Sequence, residues 1–378
     1  KGTEVRLTVK KPDGSIVVIP IIREVVVIEE SFAKSALMTY KGKKFGLIHL
    51  PSFYADFSQR GRGRNCAGDV RTEISKLQKE GATGIVIDLR NNGGGSLADA
   101  IEMGGLFIPQ GPIVQVKDMR GIEVHTDRNP AVEYGGPLVI LTNTYSASAS
   151  EILAAALQDY GRAVIVGSKS TFGKGTVQTF VELPGGLSDV FPRGFGQLKV
   201  TIQKFYRING GTTQLRGVEP DVVLPDVYDG IEQGEKEMDF HLAYDKIPAA
   251  AYQSYNPYKE SQRRKAIELS KKRLSKNEYY ALVQKRSAEL AQVRNEYTYS
   301  LNMKKFEAQQ EALRLQDKPL RDYKYRTVCD TVMALQGDLK EAGADAIKLA
   351  QKQDWLKRYR EDAGLDEAVR ILFDWSGK

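Results

Sequence analysis

Cysteine and histidine are scarce in this chain. Its 378 residues include two cysteines, Cys66 and Cys329, and three histidines, His49, His125 and His241. Neither cysteine has a partner at metal-ligand spacing, and the histidines stand apart from one another and from the cysteines. The sequence therefore disfavours a disulfide scaffold and a zinc site, although it leaves open whether the two cysteines pair. We expect any catalysis to work without a histidine base.

Long hydrophobic runs are also missing. No segment approaches the roughly 18 consecutive apolar residues of a transmembrane helix. The first residues, Lys1-Gly2-Thr3-Glu4, are typical of a domain interior rather than of a signal peptide. With 41% hydrophobic and 27% charged residues, the chain has the composition of a globular protein, and its length predicts two or three domains.

The net charge of +7 is concentrated in one segment. Residues 256–326 contain 18 Lys and Arg against 9 Asp and Glu, a local net charge of +9. A basic segment of this kind suits nucleic acid, a membrane surface or a solvated helical face. Because the segment lacks Arg-Gly runs and nucleic-acid-binding motifs, we expect no nucleic acid partner and favour the solvated helical face.

Three regions differ in sequence pattern. Residues 1–28 contain two alternating apolar runs around the turn Pro12-Asp13-Gly14-Ser15, which predicts a β-hairpin. Residues 29–228 alternate strand-like runs with helix-like segments, which predicts an α/β fold. Residues 229–378 have few strand signals and long runs of helix-forming residues, which predicts a helical bundle or an extended arm.

Three glycine- or serine-rich turns follow predicted strands of the α/β region. Because sheets of this kind form sites at the carboxyl ends of their strands, we expect these turns to converge on one site. Residues 93–98 match the dinucleotide-binding pattern G-x-G-x-x-A in form, but four residues separate them from the end of the strand and no second strand ends in an acid about 20 residues further on. The lysine-containing turn departs from the spacing of a phosphate-binding loop, so no cofactor is predicted. The turns are Asp88–Ser96, Asn143–Glu151 and Ser170–Gln178.

The second turn carries the candidate nucleophile. A serine held between alanines at the N-terminus of a helix is accessible to a substrate, and nearby backbone N–H groups suit an oxyanion. From the residues alone, Ser146, Ser148 and Ser150 are equivalent candidates. Ser148 and Glu151 also match a capping box, a structural role that is compatible with catalysis.

The third turn carries the candidate base. A serine needs a base to take its proton, and a lysine serves at neutral pH only when burial lowers its pKa from about 10.4. Lys174 lies between Gly173 and Gly175 without an acidic neighbour, a setting that suits a buried base and also an ordinary surface lysine. Gln178, four residues further on, is able to orient Lys174 without raising its pKa as a carboxylate would.

Four motifs in this order resemble the C-terminal processing peptidases, and within that family the tail-specific proteases of the bacterial periplasm. The resemblance covers residues 1–228 closely and 229–378 more loosely, where the chain is similar to the helical C-terminal domain of the tail-specific branch. One departure is residues 167–171, a turn one residue longer than the family's. The motifs are Asp88-Leu89-Arg90-Asn91-Asn92-Gly93-Gly94-Gly95, then Ser146-Ala147-Ser148-Ala149-Ser150-Glu151-Ile152 with Gln158-Asp159-Tyr160-Gly161-Arg162-Ala163, then Thr171-Phe172-Gly173-Lys174-Gly175-Thr176-Val177-Gln178, and finally Gly217-Val218-Glu219-Pro220-Asp221.

The resemblance implies a serine endopeptidase with a Ser/Lys dyad and neither metal nor cofactor. It assigns the nucleophile to Ser148 and the general base to Lys174, with Gln178 orienting the lysine. Asp159 matches a further family position, which we interpret as structural support near a helix end.

An oxyanion hole is implied as well. Its donors are the backbone N–H of Ala149 and that of a glycine in the first motif, with Gly94 favoured over Gly93.

The implied architecture is an α/β fold with a crotonase- or ClpP-like ββα catalytic core at 29–228. Residues 1–28 resemble the last strands of a PDZ domain, and 229–378 resemble the helical domain. Family substrates are proteins with nonpolar C-termini, which a PDZ domain captures as an added strand. The resemblance implies a periplasmic location and leaves open an adaptor protein and peripheral membrane association. Two alternatives remain, a PDZ-type scaffold without activity and an inactive fragment of a protease.

Overall fold

The computed structural model describes residues 1–24, 31–56, 63–183, 196–294, 298–343 and 345–377. The chain divides into two compact units, Lys1–Phe32 and Ala33–Lys378. The first contains an antiparallel hairpin of strands β1 (Glu4–Lys10) and β2 (Ile16–Ile22), so the predicted hairpin is confirmed. Gly14 turns the chain at a φ of +85°, a conformation that glycine adopts without strain. The predicted end of this segment at residue 28 lies outside the described residues.

Two sheets organise the second unit. Their strands are β3 (Lys34–Tyr40), β4 (Lys43–His49), β5 (Ile85–Asp88), β6 (Gly111–Asp118), β7 (Gly121–Asp127), β8 (Leu138–Thr142), β9 (Val164–Gly167), β10 (Thr176–Glu182), β11 (Gln197–Tyr206), β12 (Val222–Val223) and β13 (Thr331–Met333). The larger sheet has seven strands in the order β12-β9-β8-β5-β4-β3-β13, and the smaller has the order β10-β11-β6-β7. In the larger sheet, β12 to β4 pair in parallel, while β3 pairs antiparallel with β4 and with β13.

Helices cover both faces of the seven-stranded sheet. The α-helices of the described residues are α1 (Cys66–Lys79), α2 (Leu97–Gly105), α3 (Ala149–Asp159), α4 (Glu260–Leu274), α5 (Glu278–Arg294), α6 (Met303–Arg321), α7 (Gln336–Ala342), α8 (Ala346–Arg360) and α9 (Ala363–Trp375). Side chains alternate along each strand, so Ile85 and Ile87 of β5 pack in a core with α1, α2 and α3. Val86 belongs to a second core, which α4 and α9 complete. This layering is the α/β fold that the sequence pattern predicts.

The C-terminal region is mostly helical, as predicted, but it also contributes strand β13 to the sheet. Strand β13 has only three residues, which are too few to show the alternating apolar pattern by which a strand is predicted from sequence. Of the basic segment, α4 packs against α9, whereas α6 has no buried residue. Within the described ranges, none of the helices is long and apolar enough to cross a membrane.

The two cysteines do not pair. Cys66 begins α1 and Cys329 precedes β13, and both are buried free thiols. Burial raises the pKa of each thiol well above its ordinary value, which keeps both protonated and unreactive.

Candidate active site

The three predicted turns meet at one cleft. Strands β5, β8 and β9 are parallel neighbours, and each of the turns follows the carboxyl end of one of them. The cleft has a volume of about 200 Å³. Its lining takes residues from all three turns and from the smaller sheet: Gly93, Gly95, Leu97, Ser148, Ala149, Ile152, Lys174, Thr176, Val177, Gln178, Lys199 and Phe205.

Of the three candidate serines, Ser148 alone lines this cleft. Ser146 is fully buried, and its hydroxyl donates to the carbonyl oxygen of Leu89 at 2.8 Å. Ser150 is also fully buried and donates to the carbonyl oxygen of Asn92 at 2.9 Å. These hydroxyls hold the second turn against the first, so their roles are structural.

The backbone at Ser148 is strained. Its φ of +58° and ψ of −113° are unusual for a residue with a Cβ atom. Helix α3 begins at the next residue, so Ser148 stands on a sharp turn between strand β8 and this helix. Strain of this kind persists only where the surroundings hold it, and it occurs at many functional sites.

Glu151 holds the strained backbone of Ser148 in place by hydrogen bonding. Its carboxylate is fully buried and accepts four hydrogen bonds, two at each oxygen. Oε2 accepts from the backbone N–H groups of Ser148 at 2.7 Å and of Lys174 at 3.0 Å. Oε1 accepts from the Thr171 hydroxyl at 2.6 Å and from the Gly173 N–H at 2.8 Å. The second and third turns are therefore joined through one side chain.

Burial and hydrogen bonding have opposite effects on the ionisation of Glu151. Burial raises its pKa to about 7, even though all four hydrogen bonds act in the opposite direction. All four partners are donors, so the arrangement is complete only when the carboxylate is ionised. The sequence indicated the bond to Ser148 as a capping box, but the partners 20 to 23 residues downstream left no local signal.

Lys174 is half-buried at the edge of the cleft. Burial lowers the pKa of its side chain, and the positive charge of Lys199 lowers it further, against the opposing effects of Glu235 and Glu151. The neighbouring Gly175 packs closely, since a Cβ atom there would lie 2.6 Å from the Thr212 hydroxyl oxygen. The lysine loop is thus tightly packed, unlike a solvated surface turn.

The glycine turn lies directly against the serine. A Cβ atom on Gly94, whose φ is +100°, would come within 2.7 Å of the Ser148 Cβ atom and 3.0 Å of the Ala149 nitrogen. However, the Gly94 N–H, the favoured oxyanion donor, donates to Asn92 Oδ1 at 2.9 Å. Within the described part of the chain, the N–H groups of Gly93 and Ala149 have no such partner.

Gln178 reaches the cleft through an irregularity in its strand. The pairing of β10 with β11 shifts register between Val177 and Gln178, as in a β-bulge. Successive residues of a regular strand point to opposite faces, and a bulge re-aims one of them. Both residues accordingly line the cleft.

Asp159 does not line this cleft. It ends α3, where its carboxylate pairs with the Arg207 guanidinium at 2.6 Å and accepts from Asn209 at 2.8 Å. Its side chain is 7% exposed, so the pair joins α3 to the segment after β11 away from solvent. In the same motif, buried Arg162 donates to the carbonyl oxygens of Phe107, Tyr134 and Gly136.

No group of three or more His, Cys, Asp or Glu residues in the described ranges is arranged to hold a metal ion. The cleft itself is lined by two lysines, a serine, a threonine, a glutamine, and glycine and apolar residues, a set without carboxylate or imidazole ligands. A hydroxyl, an amine and nearby backbone N–H groups are the groups that acyl-transfer chemistry without a metal requires.

Comparison with known proteins identifies the family of this chain. Residues 44–224 match the model of peptidase family S41, and residues 228–377 match the C-terminal domain of tail-specific protease. The tail-specific protease of Haemophilus influenzae is 44% identical over 254 residues, which are 67% of this chain and 35% of that protein. The carboxyl-terminal-processing protease of a Picosynechococcus species is 37% identical over 226 residues, 60% of this chain and 50% of that protein.

Among solved structures, the photosystem II D1 C-terminal processing protease aligns with 59% of this chain and 56% of its own, at 27% identity and a TM-score of 0.43. The chain belongs to peptidase family S41, and its C-terminal region is of the tail-specific protease type. It spans about a third to a half of the length of the curated relatives above.

Proposed function

We propose that this chain is the catalytic part of a serine endopeptidase in which Ser148 is the nucleophile and Lys174 the general base. The observation that carries the proposal is that both residues line the same cleft, together with glycines of the first turn. The lowered pKa of Lys174 supports its role, because a base has to be neutral to accept a proton. Gln178, on the same cleft, orients the lysine.

Acyl transfer follows from these roles. Neutral Lys174 takes the hydroxyl proton of Ser148 as its Oγ atom bonds to the scissile carbonyl carbon, whose oxygen becomes the oxyanion. The carbon–nitrogen bond then breaks, and the lysine ammonium returns the proton to the leaving amine. Water attacks the acyl-enzyme with Lys174 again as base, which releases the acid and restores Ser148.

The oxyanion is stabilised by backbone N–H groups. Ala149 supplies one from the first turn of α3, where the helix dipole also favours negative charge. The second comes from the glycine turn. It is either the N–H of Gly93 or that of Gly94, which would first have to break its hydrogen bond to Asn92 Oδ1. Asp159 is structural support and takes no part in the chemistry.

The wider assignment rests on the resemblance. The α/β unit corresponds to a crotonase- or ClpP-like core at 29–228, the hairpin to the end of a PDZ domain at 1–28, and 229–378 to the helical domain. Substrates are then proteins with nonpolar C-termini in the periplasm, with an adaptor protein and peripheral membrane association as further partners of the whole protein.

A degradation assay tests the proposal. An unfolded protein with a nonpolar C-terminus is incubated with this chain, with a version that carries the natural N-terminal extension, and with Ser148→Ala in each. Ser146→Ala is the matched control, because it removes a neighbouring hydroxyl that bonds only within the fold. We expect cleavage that Ser148→Ala abolishes and Ser146→Ala retains.

The outcomes separate the alternatives. Cleavage by the extended form alone makes the N-terminal segment an activator and this chain an inactive fragment. Cleavage that persists in Ser148→Ala overturns the nucleophile. No cleavage by either wild-type form favours a scaffold.

A further inference from the structure

Arg90 lies between two carboxylates from distant parts of the chain. Its Nε and Nη2 atoms donate to Asp88 at 2.8 and 2.7 Å, and its Nη1 and Nη2 atoms donate to Asp362 at 3.1 and 2.6 Å. Asp88 ends β5, whereas Asp362 caps α9 in the helical region and accepts from the Leu365 N–H at 2.9 Å. Pairs of this bidentate kind restrict geometry as well as contributing energy.

Tyr359 adds a second link from the helical region. It lies near the end of α8, is buried, and donates its hydroxyl to Asp88 Oδ2 at 3.0 Å. Burial opposes the ionisation of Asp88, but Arg90 outweighs it, so the pKa of this carboxyl lies below its ordinary value. The carboxylate is therefore available to both partners.

Arg90 precedes Gly93, a residue that lines the cleft, by three positions in the sequence. The intervening backbone is held at two points, since the Asn91 N–H donates to Asn143 Oδ1 at 2.9 Å and the Asn92 amide donates to the Leu50 carbonyl at 2.9 Å. Asn92 then accepts from Gly94, and its carbonyl accepts from the Ala147 N–H at 3.0 Å, next to the nucleophile. Arg90 and the glycine turn are thus joined by a short segment whose two residues are both hydrogen-bonded.

We propose that the helical C-terminal region positions the glycine turn through Arg90, with Asp362 and Tyr359 as positioning residues. Both lie outside residues 44–224, the part that matches the peptidase family model. The inference rests on the proposed peptidase function, because its effect is on stabilisation of the oxyanion. A donor displaced by about 1 Å loses much of its effect in a transition state, while substrate binding is little changed.

Two substitutions test the proposal with the full chain, in the form shown to cleave. Asp362→Asn removes the charge that faces Arg90 but retains a good helix cap. Tyr359→Phe removes only the hydroxyl. The matched control for the first is Asp374→Asn, which removes the charge of Asp374 from its ion pair with Arg273. The matched control for the second is Tyr280→Phe, because the buried Tyr280 hydroxyl has no hydrogen-bond partner in the described ranges. Initial rates against substrate concentration and thermal unfolding are measured for all four.

We expect Asp362→Asn to lower kcat roughly tenfold or more and Tyr359→Phe to lower it in the same direction, each with KM within about twofold of wild type. The controls should keep kcat within about twofold at comparable melting temperatures. If both test variants match their controls in kcat, or lose activity only in proportion to unfolding, the positioning role is wrong. Should wild type and Ser148→Ala behave alike, the peptidase function itself fails, which is a separate result.

Discussion

Ser148 and Lys174 are bound to the same carboxylate oxygen. Their backbone N–H groups donate to Glu151 Oε2 over 2.7 and 3.0 Å, so a buried acid sets the spacing between the turn of the nucleophile and the turn of the base. The other oxygen holds Thr171 and Gly173 of the lysine loop. The two halves of the proposed dyad are 26 positions apart in the chain, and this side chain connects them.

Glu151→Gln should reduce cleavage by roughly 100-fold, because its amide nitrogen would face donors where the carboxylate accepts, and the turns would shift. The measurement is kcat/KM with the melting temperature alongside. Glu73→Gln is the control, since Glu73 is also buried, bonds to Ser35 and Lys76 and lies on α1 outside the cleft. Equal activity in the two variants would contradict the role of Glu151.

The rate should fall steeply in acid. Lys174 has to be neutral, and its lowered pKa means that activity is lost as the pH falls through that value. Glu151 has to be ionised, and because burial raises its pKa to about 7, its contribution is also lost as the pH falls through this region. Both groups release a proton as the pH rises, so log kcat/KM against pH should approach a slope of two at pH values below both pKa values. A flat profile down to about pH 5 would argue against both assignments.

Lys174→Ala and Lys174→Arg should both abolish cleavage. Arginine keeps the positive charge and length but cannot deprotonate near neutral pH, so charge alone does not rescue the base. The control is Lys169→Ala in the same loop, an exposed lysine that donates to the Asp229 carbonyl oxygen. Substantial cleavage by Lys174→Arg would mean that the lysine acts as a cation rather than as a base.

Gly94→Ala should remove activity. Its methyl group would lie 2.7 Å from the Ser148 Cβ atom and 2.8 Å from the Ala147 carbonyl oxygen, which forces the glycine turn away from the nucleophile. Gly81→Ala is the control for backbone strain, since Gly81 has a φ of +82° but no atom within 4 Å of the added methyl. Comparable rates in the two variants, measured at equal folded fractions, would show that the close approach is unimportant.

Much of the fold was predictable because its signals are local. The hairpin at the N-terminus, the buried strands β4, β5, β8 and β9 and the helical character after residue 229 all follow from apolar periodicity and turn residues. The short strand β13 was not predictable, because three residues have no periodicity and their pairing with β3 is a long-range contact.

The sequence by itself determined that a serine-rich turn, a lysine in a glycine turn and a glycine-rich turn all follow strands, and the motif order identified the family. Only the tertiary structure decided that Ser148, rather than Ser146 or Ser150, borders the cleft, since the other two are buried and donate to carbonyl groups of the first turn. It alone decided that Glu151 joins the turns and that Arg90 meets Asp362. The residues in these contacts are 20 to 272 positions apart in the sequence. A sequence pattern reflects only residues that are close along the chain, whereas these contacts form through tertiary packing.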